Sequence, residues 1–349
     1  MNRKTWFKVF TIIGIPASFF VLFEFFLRGS TIAPPINLNV NEITIKKPHS
    51  TYYNKKENFN LVKINNFGFH DFDREKFNNN YRIAFIGDSF VEGLQVPRDS
   101  LFTEILNRKY LKDQKIESIP FGISGTGTAY QYKMWKNLLI NEIEIDHIIL
   151  VMFLGNDLKN NHIKLGNSPV DNNFYLDKEG NIYKNHFNRG VVRKTIKNLR
   201  NHSSTINLIY QRLYLLKRII KNKSEKNTEG LSKNLELYDE KYYYESISGT
   251  LKLILKWRTE LEEKGINFSL ITFNVDQNNQ WQKKFLDKII SDEKFKNIKH
   301  KNIEFLESRA KYLFKTSIFG HFNARGQKFF SSEISKFLDE NYKLNLSHK

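Results

Sequence analysis

The sequence lacks cysteine entirely, and its other candidate metal ligands are scattered. None of the 349 residues is Cys, which excludes disulfide bonds and thiolate metal sites. The compartment stays open, because many exported proteins also lack cysteine. Histidine, aspartate and glutamate do not cluster at the spacing typical of a metal site. We therefore expect neither a metal nor any other cofactor.

Acidic residues are also in short supply. The chain has 37 Asp and Glu against 55 Lys and Arg, and its formal net charge is +18 at pH 7. Such a charge fits an anionic partner, for example a membrane surface, a polysaccharide or a nucleic acid. It fits a general bias towards Lys, Asn and Ile equally well. Because neither an RNA- or DNA-binding motif nor a basic-aromatic patch occurs, no nucleic-acid partner is expected.

The N-terminus contains a long apolar run. Val9–Leu27 is almost wholly apolar, includes Glu24 near its end and stops at Arg28. This length is close to the ~20 residues of a membrane-spanning helix. The basic residues within Met1–Lys8 favour an N-terminus in the cytoplasm. We predict an uncleaved membrane anchor over residues 1–28, with the rest of the chain outside the cytoplasm; the alternative is a cleaved signal peptide.

A polar stretch follows the anchor. Residues 29–80 include Pro34-Pro35 and are predicted to form a spacer and an irregular N-terminal arm. His70 lies within this arm. A role in packing the arm against the domain is favoured over a catalytic one.

The next segment has the pattern of a buried strand that enters a tight turn. Ile83–Ile86 are β-favouring and run into Gly87, Asp88 and Ser89. In open α/β sheets, chemistry is carried out at the carboxyl ends of the strands, where this turn would leave the Ser89 hydroxyl. The alternative is that Ser89 only caps the helix that follows.

Strand and helix patterns alternate regularly from this point. This alternation predicts a three-layer α/β/α domain over residues 81–349, with a mostly parallel, flavodoxin-like sheet. The predicted helices cover 99–111, 128–141, 242–264, 281–290 and 323–342, and the predicted strands that follow the first cover 116–121, 147–153, 268–273 and 303–306. His147, at the entry of a strand, is expected to be structural.

Residues 158–241 are too many for an ordinary loop and are predicted to be an insertion. Phe174–Tyr183 has the pattern of a β-hairpin. Further on, apolar residues at helical spacing are accompanied by many Lys and Arg residues. The favoured interpretation is an amphipathic helix packed on the domain with its charged face in solvent; the alternative is a lid that contacts an anionic surface or substrate. The apolar positions are Ile206, Ile209, Leu213, Leu216 and Ile220.

Four short motifs resemble the sequence blocks of the SGNH (GDSL) hydrolases. Gly87–Ser89 resembles the first block, Phe121–Gly127 the second, Phe153–Asp157 the third and Gly320–Gly326 the last. They occur in the order of that family, each where a strand should end. The resemblance covers the chain from about Tyr81 to the C-terminus. Ile64–Asp71 also resembles the segment that often precedes the first block in membrane-anchored members, which implies a membrane-anchored bacterial member.

The chemistry of acyl transfer gives these motifs roles that agree with the resemblance. It needs a nucleophile, a base, and donors for the developing oxyanion. Ser89 would be the nucleophile, and His321 the base, because the pKa of a histidine lies near working pH. The backbone N–H groups of Ser89 and Gly125 and the side-chain amide of Asn156 would form the oxyanion hole.

One departure from the family concerns the residue that orients the histidine. Members usually carry an aspartate two or three residues before it, where this chain has Phe319 and Ile318. Three explanations are open: a backbone carbonyl serves in a Ser-His dyad, a distant carboxylate such as Asp276 serves, or the activity is weakened. The first is favoured. Asp88 and Asp157 are expected to stabilise their turns.

The resemblance and the predicted anchor together imply a function. We expect a serine ester hydrolase or acyltransferase that acts on O-acyl groups, above all O-acetyl groups, of a cell-envelope glycan or lipid. Its partners would be that acylated substrate and the membrane. The alternative is a catalytically weakened protein of the same fold that binds or helps assemble an envelope polysaccharide. The sequence does not define the oligomeric state.

Overall fold

The computed structural model describes residues 3–30, 37–54, 59–166, 174–184, 191–225, 236–274, 279–305 and 320–342. The first element is helix α1, Arg3–Gly29, which has one π-helical turn at Phe10–Gly14. It is long and apolar enough to cross a membrane. Most of its apolar side chains are exposed, whereas Leu27 in its last turn is buried.

The N-terminal arm contains two antiparallel β-ribbons where the sequence predicted irregular structure. Strands β1 (Asn37–Val40) and β2 (Ile43–Lys46) form one, and β3 (Thr51–Asn54) and β4 (Asn60–Lys63) form the other. In β2 the buried and partly buried residues alternate, as they do in a strand with one face on a core. Four-residue strands are too short to stand out as a periodic pattern in the sequence.

Five parallel strands form the central sheet. They are β5 (Tyr81–Gly87), β6 (Ile116–Gly122), β7 (His147–Phe153), β10 (Asn267–Asn274) and β11 (Lys299–Glu304), in the order β11-β10-β7-β5-β6. A separate antiparallel hairpin, β8 (Phe174–Leu176) and β9 (Ile182–Lys184), lies where the sequence predicted one. The order of the central strands is that of flavodoxin-like folds, so the predicted fold class is confirmed.

The last strand begins and ends earlier than predicted. The sequence indicated residues 303–306, but β11 covers Lys299–Glu304. It is an edge strand in which only Ile303 is buried. Its polar residues therefore give no apolar run from which its start could be recognised.

Two layers of helices cover the sheet because successive strand residues face opposite sides. Ala84 and Ile86 of β5 belong to one core, and Ile83 and Phe85 belong to the other. After α1 the helices are α2 (Ser89–Glu92), α3 (Phe102–Gln114), α4 (Thr128–Met134), α5 (Ile140–Glu142), α6 (Asp157–Asn160), α7 (Val191–His202), α8 (Ser204–Glu225), α9 (Glu236–Glu262), α10 (Gln280–Ser291) and α11 (Ala324–Asn341). Helices α3 and α11 pack on one face, and α4, α9 and α10 pack on the other.

The apolar stripe of α8 does not pack as predicted. Ile209, Leu213, Leu216 and Ile220 are between 52% and 68% exposed. The favoured interpretation, an amphipathic helix packed on the domain through this stripe, is therefore wrong. Helical periodicity shows that a helix has an apolar side but not what covers it. Here α8 contacts the end of α1 and the preceding helix α7.

The last residue of β6 controls how closely α2 approaches the sheet. A methyl group on Gly122 would overlap the backbone of Val91 and Glu92. We expect Gly122→Ala to push α2 away and to lower the free energy of unfolding by about 1–3 kcal/mol, as measured by urea unfolding of the full chain in detergent. Gly29→Ala is the control, since its methyl group would meet no atom within 4 Å. Equal stability of the two variants would contradict this packing.

Candidate active site

Ser89 lies at the first residue of α2, directly after the central strand β5. The residue that caps α2 is Asp88, whose side chain accepts a hydrogen bond from Phe90 N at 2.9 Å. Ser89 is therefore not the N-cap, and that alternative for its role is wrong. The helix is one turn long and ends at Gly93, which has a φ of 61°, a conformation that favours glycine. The turn holds Ser89 at the carboxyl edge of the sheet.

His321, which lies far from Ser89 in the sequence, contacts it in the fold. Its Nε2 lies 2.7 Å from Ser89 Oγ, although the two residues are 232 positions apart. The imidazole also contacts the ring of Phe90, with centroids 5.0 Å apart. Helix α11 begins three residues after His321, and Asn323 caps it by accepting a hydrogen bond from Gly326 N at 2.9 Å. This cap fixes the start of α11 next to the histidine.

Asn156 lies beside the same turn. It follows β7, which pairs with β5, and its Nδ2 donates to Asp88 Oδ2 at 2.9 Å. The amide is thus anchored to the residue next to Ser89. Since Nδ2 carries two hydrogens, one remains beyond the bond to Asp88.

The loop of Gly125 packs against α2. It follows β6, the other neighbour of β5, and Gly125 has a φ of 76°. The preceding residue, Ser124, donates both its backbone N–H, at 3.0 Å, and its hydroxyl to the Glu92 carboxylate at the end of α2. Ser89, Gly125 and Asn156 therefore follow three adjacent parallel strands.

Glu92 is a site residue that the sequence analysis missed. It is buried, and its carboxylate also pairs with Lys46 of the N-terminal arm at 2.9 Å. Burial alone would raise the pKa of Glu92, but the charge of Lys46 and the bonds from Ser124 lower it below its usual range. The available signal was a glutamate within the otherwise apolar turn that follows Ser89. No local pattern pointed to Lys46.

Two aspartates of the site are buried. Burial raises the pKa of Asp88, and the pKa of Asp157 lies well above its usual value because of burial and the nearby charge of Asp88. Each accepts a backbone bond within its own turn, Asp88 from Phe90 and Asp157 from Phe153, both at 2.9 Å. These bonds agree with the predicted turn-stabilising role.

His70 and His147, the two other histidines considered in the sequence analysis, have hydrogen-bond partners away from Ser89. The ring nitrogens of His70 lie 3.1 Å from Lys63 O and 3.0 Å from Val96 O, so His70 ties the arm to the segment after α2. His147 Nε2 lies 3.0 Å from Ser269 Oγ, and burial lowers the pKa of His147 to about 3. Both environments fit structural roles.

Asp276, Ile318 and Phe319 lie outside the described residues. The group that orients His321 therefore stays a prediction. The arrangement that is described has a clear chemical meaning: a serine hydroxyl within hydrogen-bond distance of an imidazole is the usual arrangement of a nucleophile and its base.

Several solved structures are similar to this chain. One is a lipolytic protein of the G-D-S-L family from Desulfitobacterium hafniense DCB-2, with 14% identity, a TM-score of 0.38, and coverage of 74% of this chain and 100% of that one. A carbohydrate esterase, whose active site has catalytic and non-catalytic binding functions, is 13% identical with a TM-score of 0.38, and the match covers 77% of this chain and 68% of that one. An acetyl xylan esterase from the rumen bacterium Butyrivibrio proteoclasticus is 12% identical with a TM-score of 0.38, and the match covers 78% of this chain and 66% of that one. Neither a family model nor a curated protein sequence matches the chain.

The pairing of Lys46 with Glu92 predicts a pH-dependent loss of stability when the lysine is removed. In Lys46→Met, Glu92 is left buried without its counter-charge, which costs about 3–5 kcal/mol for a fully buried pair. We expect the lower end, since the Lys46 side chain is 23% exposed. Without Lys46, burial raises the pKa of Glu92 in the variant, so the loss should shrink between about pH 7 and about pH 4 as this carboxylate takes up a proton and needs no counter-charge.

In the native chain, the direction of the Glu92 pKa shift decides how stability changes with pH. Because folding lowers this pKa, the group contributes stability above its unfolded pKa and loses it as the pH falls through the folded one. Urea unfolding of the full chain at both pH values measures the effect. The double variant Lys46→Met/Glu92→Gln is the control and should recover part of the loss at neutral pH. A Lys46→Met variant as stable as the native chain at neutral pH would refute the role of the pair.

Proposed function

We propose that this protein is a serine ester hydrolase or acyltransferase of the SGNH type. The observation that carries the proposal is the 2.7 Å contact between Ser89 Oγ and His321 Nε2 at the carboxyl edge of the sheet. Three further features support it: the turn after β5, the Gly125 loop after β6, and Asn156 after β7. Ser89 is 8% exposed and His321 is partly exposed, so the pair can be reached from solvent at the edge of the core.

In the proposed reaction, Ser89 Oγ attacks the carbonyl carbon of an ester. His321 Nε2 takes the hydroxyl proton and then delivers it to the leaving alcohol, which gives an acyl-enzyme. Water, or a sugar hydroxyl, next attacks the acyl group while His321 accepts its proton, and Ser89 is released with its proton restored. Water gives hydrolysis, and a hydroxyl gives acyl transfer.

The oxyanion of each tetrahedral intermediate needs donors. We assign this role to the backbone N–H groups of Ser89 and Gly125 and to the Asn156 amide. The bond from Asn156 to Asp88 holds the amide in one orientation, so that its second hydrogen is the one assigned to the oxyanion. Loss of one such donor typically lowers the rate by ~10²–10³.

For the orientation of His321 we favour a backbone carbonyl over Asp276. The positions before the histidine are occupied by Ile318 and Phe319, which have no acceptor in their side chains. The same departure supports the second candidate function, a weakened protein that binds or helps assemble an envelope polysaccharide. The two functions differ in whether an acyl-enzyme forms.

We place the enzyme at a membrane, with α1 as its anchor and the catalytic domain outside the cytoplasm. The exposed apolar surface of α1 and the basic residues before Val9 support this topology. We take the substrate class to be an O-acylated, above all O-acetylated, glycan or lipid of the cell envelope.

The nucleophile is tested by labelling with a fluorophosphonate. We expect the full-length protein to be labelled at Ser89, and Ser89→Ala to remain folded and unlabelled, because only the activated hydroxyl attacks phosphorus. Ser332→Ala, which alters an exposed residue of α11, should be labelled like the native chain. An activated acetyl ester should also give a burst equal to the amount of enzyme. Equal labelling of Ser89→Ala would end the assignment, and labelling without any burst would favour the binding function.

The anchor is tested by the N-terminus of the mature protein. If α1 spans the membrane uncleaved, mass spectrometry should find residues from the first turns of α1, and the protein should remain in the membrane fraction after a high-salt wash. High salt removes proteins held by charge alone, which controls for the basic surface of the chain. A mature N-terminus beyond Leu27 in a soluble protein would show a signal peptide instead.

A further inference from the structure

Glu24 of α1 caps the N-terminus of α8. Its carboxylate accepts bonds from the backbone N–H groups of Ser204 and Thr205 at 2.8 and 2.9 Å. The hydroxyls of Ser203 and Thr205 donate to it at 2.9 and 2.7 Å. A carboxylate at this place satisfies donors that the first turn of a helix leaves unpaired. Glu24, the one acidic residue within the apolar run Val9–Leu27, thus lies where α8 contacts α1.

Two more contacts fix the same junction. Arg28 pairs with Glu24 at 2.7 Å and donates to His202 O at 2.5 Å. Leu27, between them on the same helix, is only 2% exposed. The end of α1 and the start of α8 are therefore held together by charge, by hydrogen bonds and by packing.

This junction places α8 near the outer surface of a bilayer that α1 spans. With 27 residues and ~1.5 Å per residue, α1 is about 40 Å long, whereas the hydrocarbon layer is about 30 Å thick. The last turn of α1 then lies at the headgroup region, and the first turn of α8 lies there too.

The exposed side of α8 has the composition of a helix that lies in such an interface. Ile209, Leu213, Leu216 and Ile220 follow each other at helical spacing on one side and are all exposed. Arg212 and Lys217 border this stripe and are exposed as well. Basic residues recur along α7 and α8, while α7 has no acidic residue and α8 only Glu225. Long basic side chains can reach lipid phosphates while their stems cover apolar surface.

We propose that the exposed stripe of α8 inserts into the outer headgroup layer of the bilayer that α1 crosses, with its basic border on anionic lipids. Amphipathic helices of this kind lie in the plane of the membrane at a depth of about 5–10 Å. The occupant of the stripe is lipid, because the stripe is continuous with α1 through the Glu24 junction. The proposal rests on α1 spanning the membrane but not on the catalytic roles of Ser89 and His321.

The absence of cysteine makes the test direct, since a single introduced Cys is the sole labelling site. Three full-length variants are compared: Leu213→Cys in the stripe, Gln211→Cys on the opposite side of α8, and Leu22→Cys on the exposed surface of α1. Each carries a polarity-sensitive fluorophore in vesicles of phosphatidylcholine and phosphatidylglycerol. Lipids with a nitroxide near the headgroup act as the quencher.

We expect strong quenching and a blue-shifted emission at Leu213→Cys, and neither at Gln211→Cys. Vesicles of phosphatidylcholine alone should reduce the quenching at Leu213→Cys while leaving Leu22→Cys unchanged, because only the former contact depends on anionic lipid. Thermal unfolding of each variant shows that the fold is kept.

The outcomes distinguish the lipid contact of α8 from the membrane anchor formed by α1. A quenched Leu22→Cys with a water-like Leu213→Cys would overturn the lipid contact of α8 while keeping α1 in the membrane. A water-like Leu22→Cys would overturn the anchor itself. A blue shift at Leu213→Cys that vanishes when the protein is diluted in lipid would show that a second copy of the chain, and not lipid, covers the stripe.

Discussion

The candidate site depends on one buried carboxylate, that of Glu92. It belongs to the one-turn helix that starts at Ser89, it holds the loop of Gly125 through Ser124, and it is neutralised by Lys46. A buried charge is stable only when it is paired and hydrogen-bonded, so these three segments must be in place together. The N-terminal arm is therefore part of the structure that shapes the site, although it contributes none of the residues to which chemistry is assigned.

The sequence predicted the sheet from local patterns, whereas the pairing of Ser89 with His321 was expected from the resemblance of the first and last blocks. Apolar runs that end at glycine define strands such as β5, and parallel strands bring their carboxyl ends to one edge. Motifs at successive strand ends must then lie close together, as the bond between Asn156 and Asp88 shows. Among the predicted strands, β11, whose residues are mostly polar, was displaced from its predicted position; helix α3 also begins and ends three residues later than predicted.

The features that were missed depend on contacts between distant residues. Lys46 has no sequence pattern that pairs it with Glu92. Glu24 was noted only as an acidic residue near the end of an apolar run, and no pattern connected it with Ser204 and Thr205. The apolar stripe of α8 was recognised, but its surroundings were assigned wrongly. Periodicity identifies the apolar side of a helix, whereas the surface that covers this side is decided by the tertiary structure or by a membrane.

The separation of Ser89 from His321 has a consequence for the synthesis of the protein. The two residues are 232 positions apart, and the histidine is added just before the final helix, α11. The ribosome therefore adds 232 residues beyond Ser89 before His321 can reach it. If the domain is exported from its N-terminus, as proposed above, the pair can assemble only after the segment that carries His321 has crossed the membrane. Ser89 and His321 would then stay apart for as long as the chain is inside the cell, so any chemistry of the pair would be confined to the far side of the membrane.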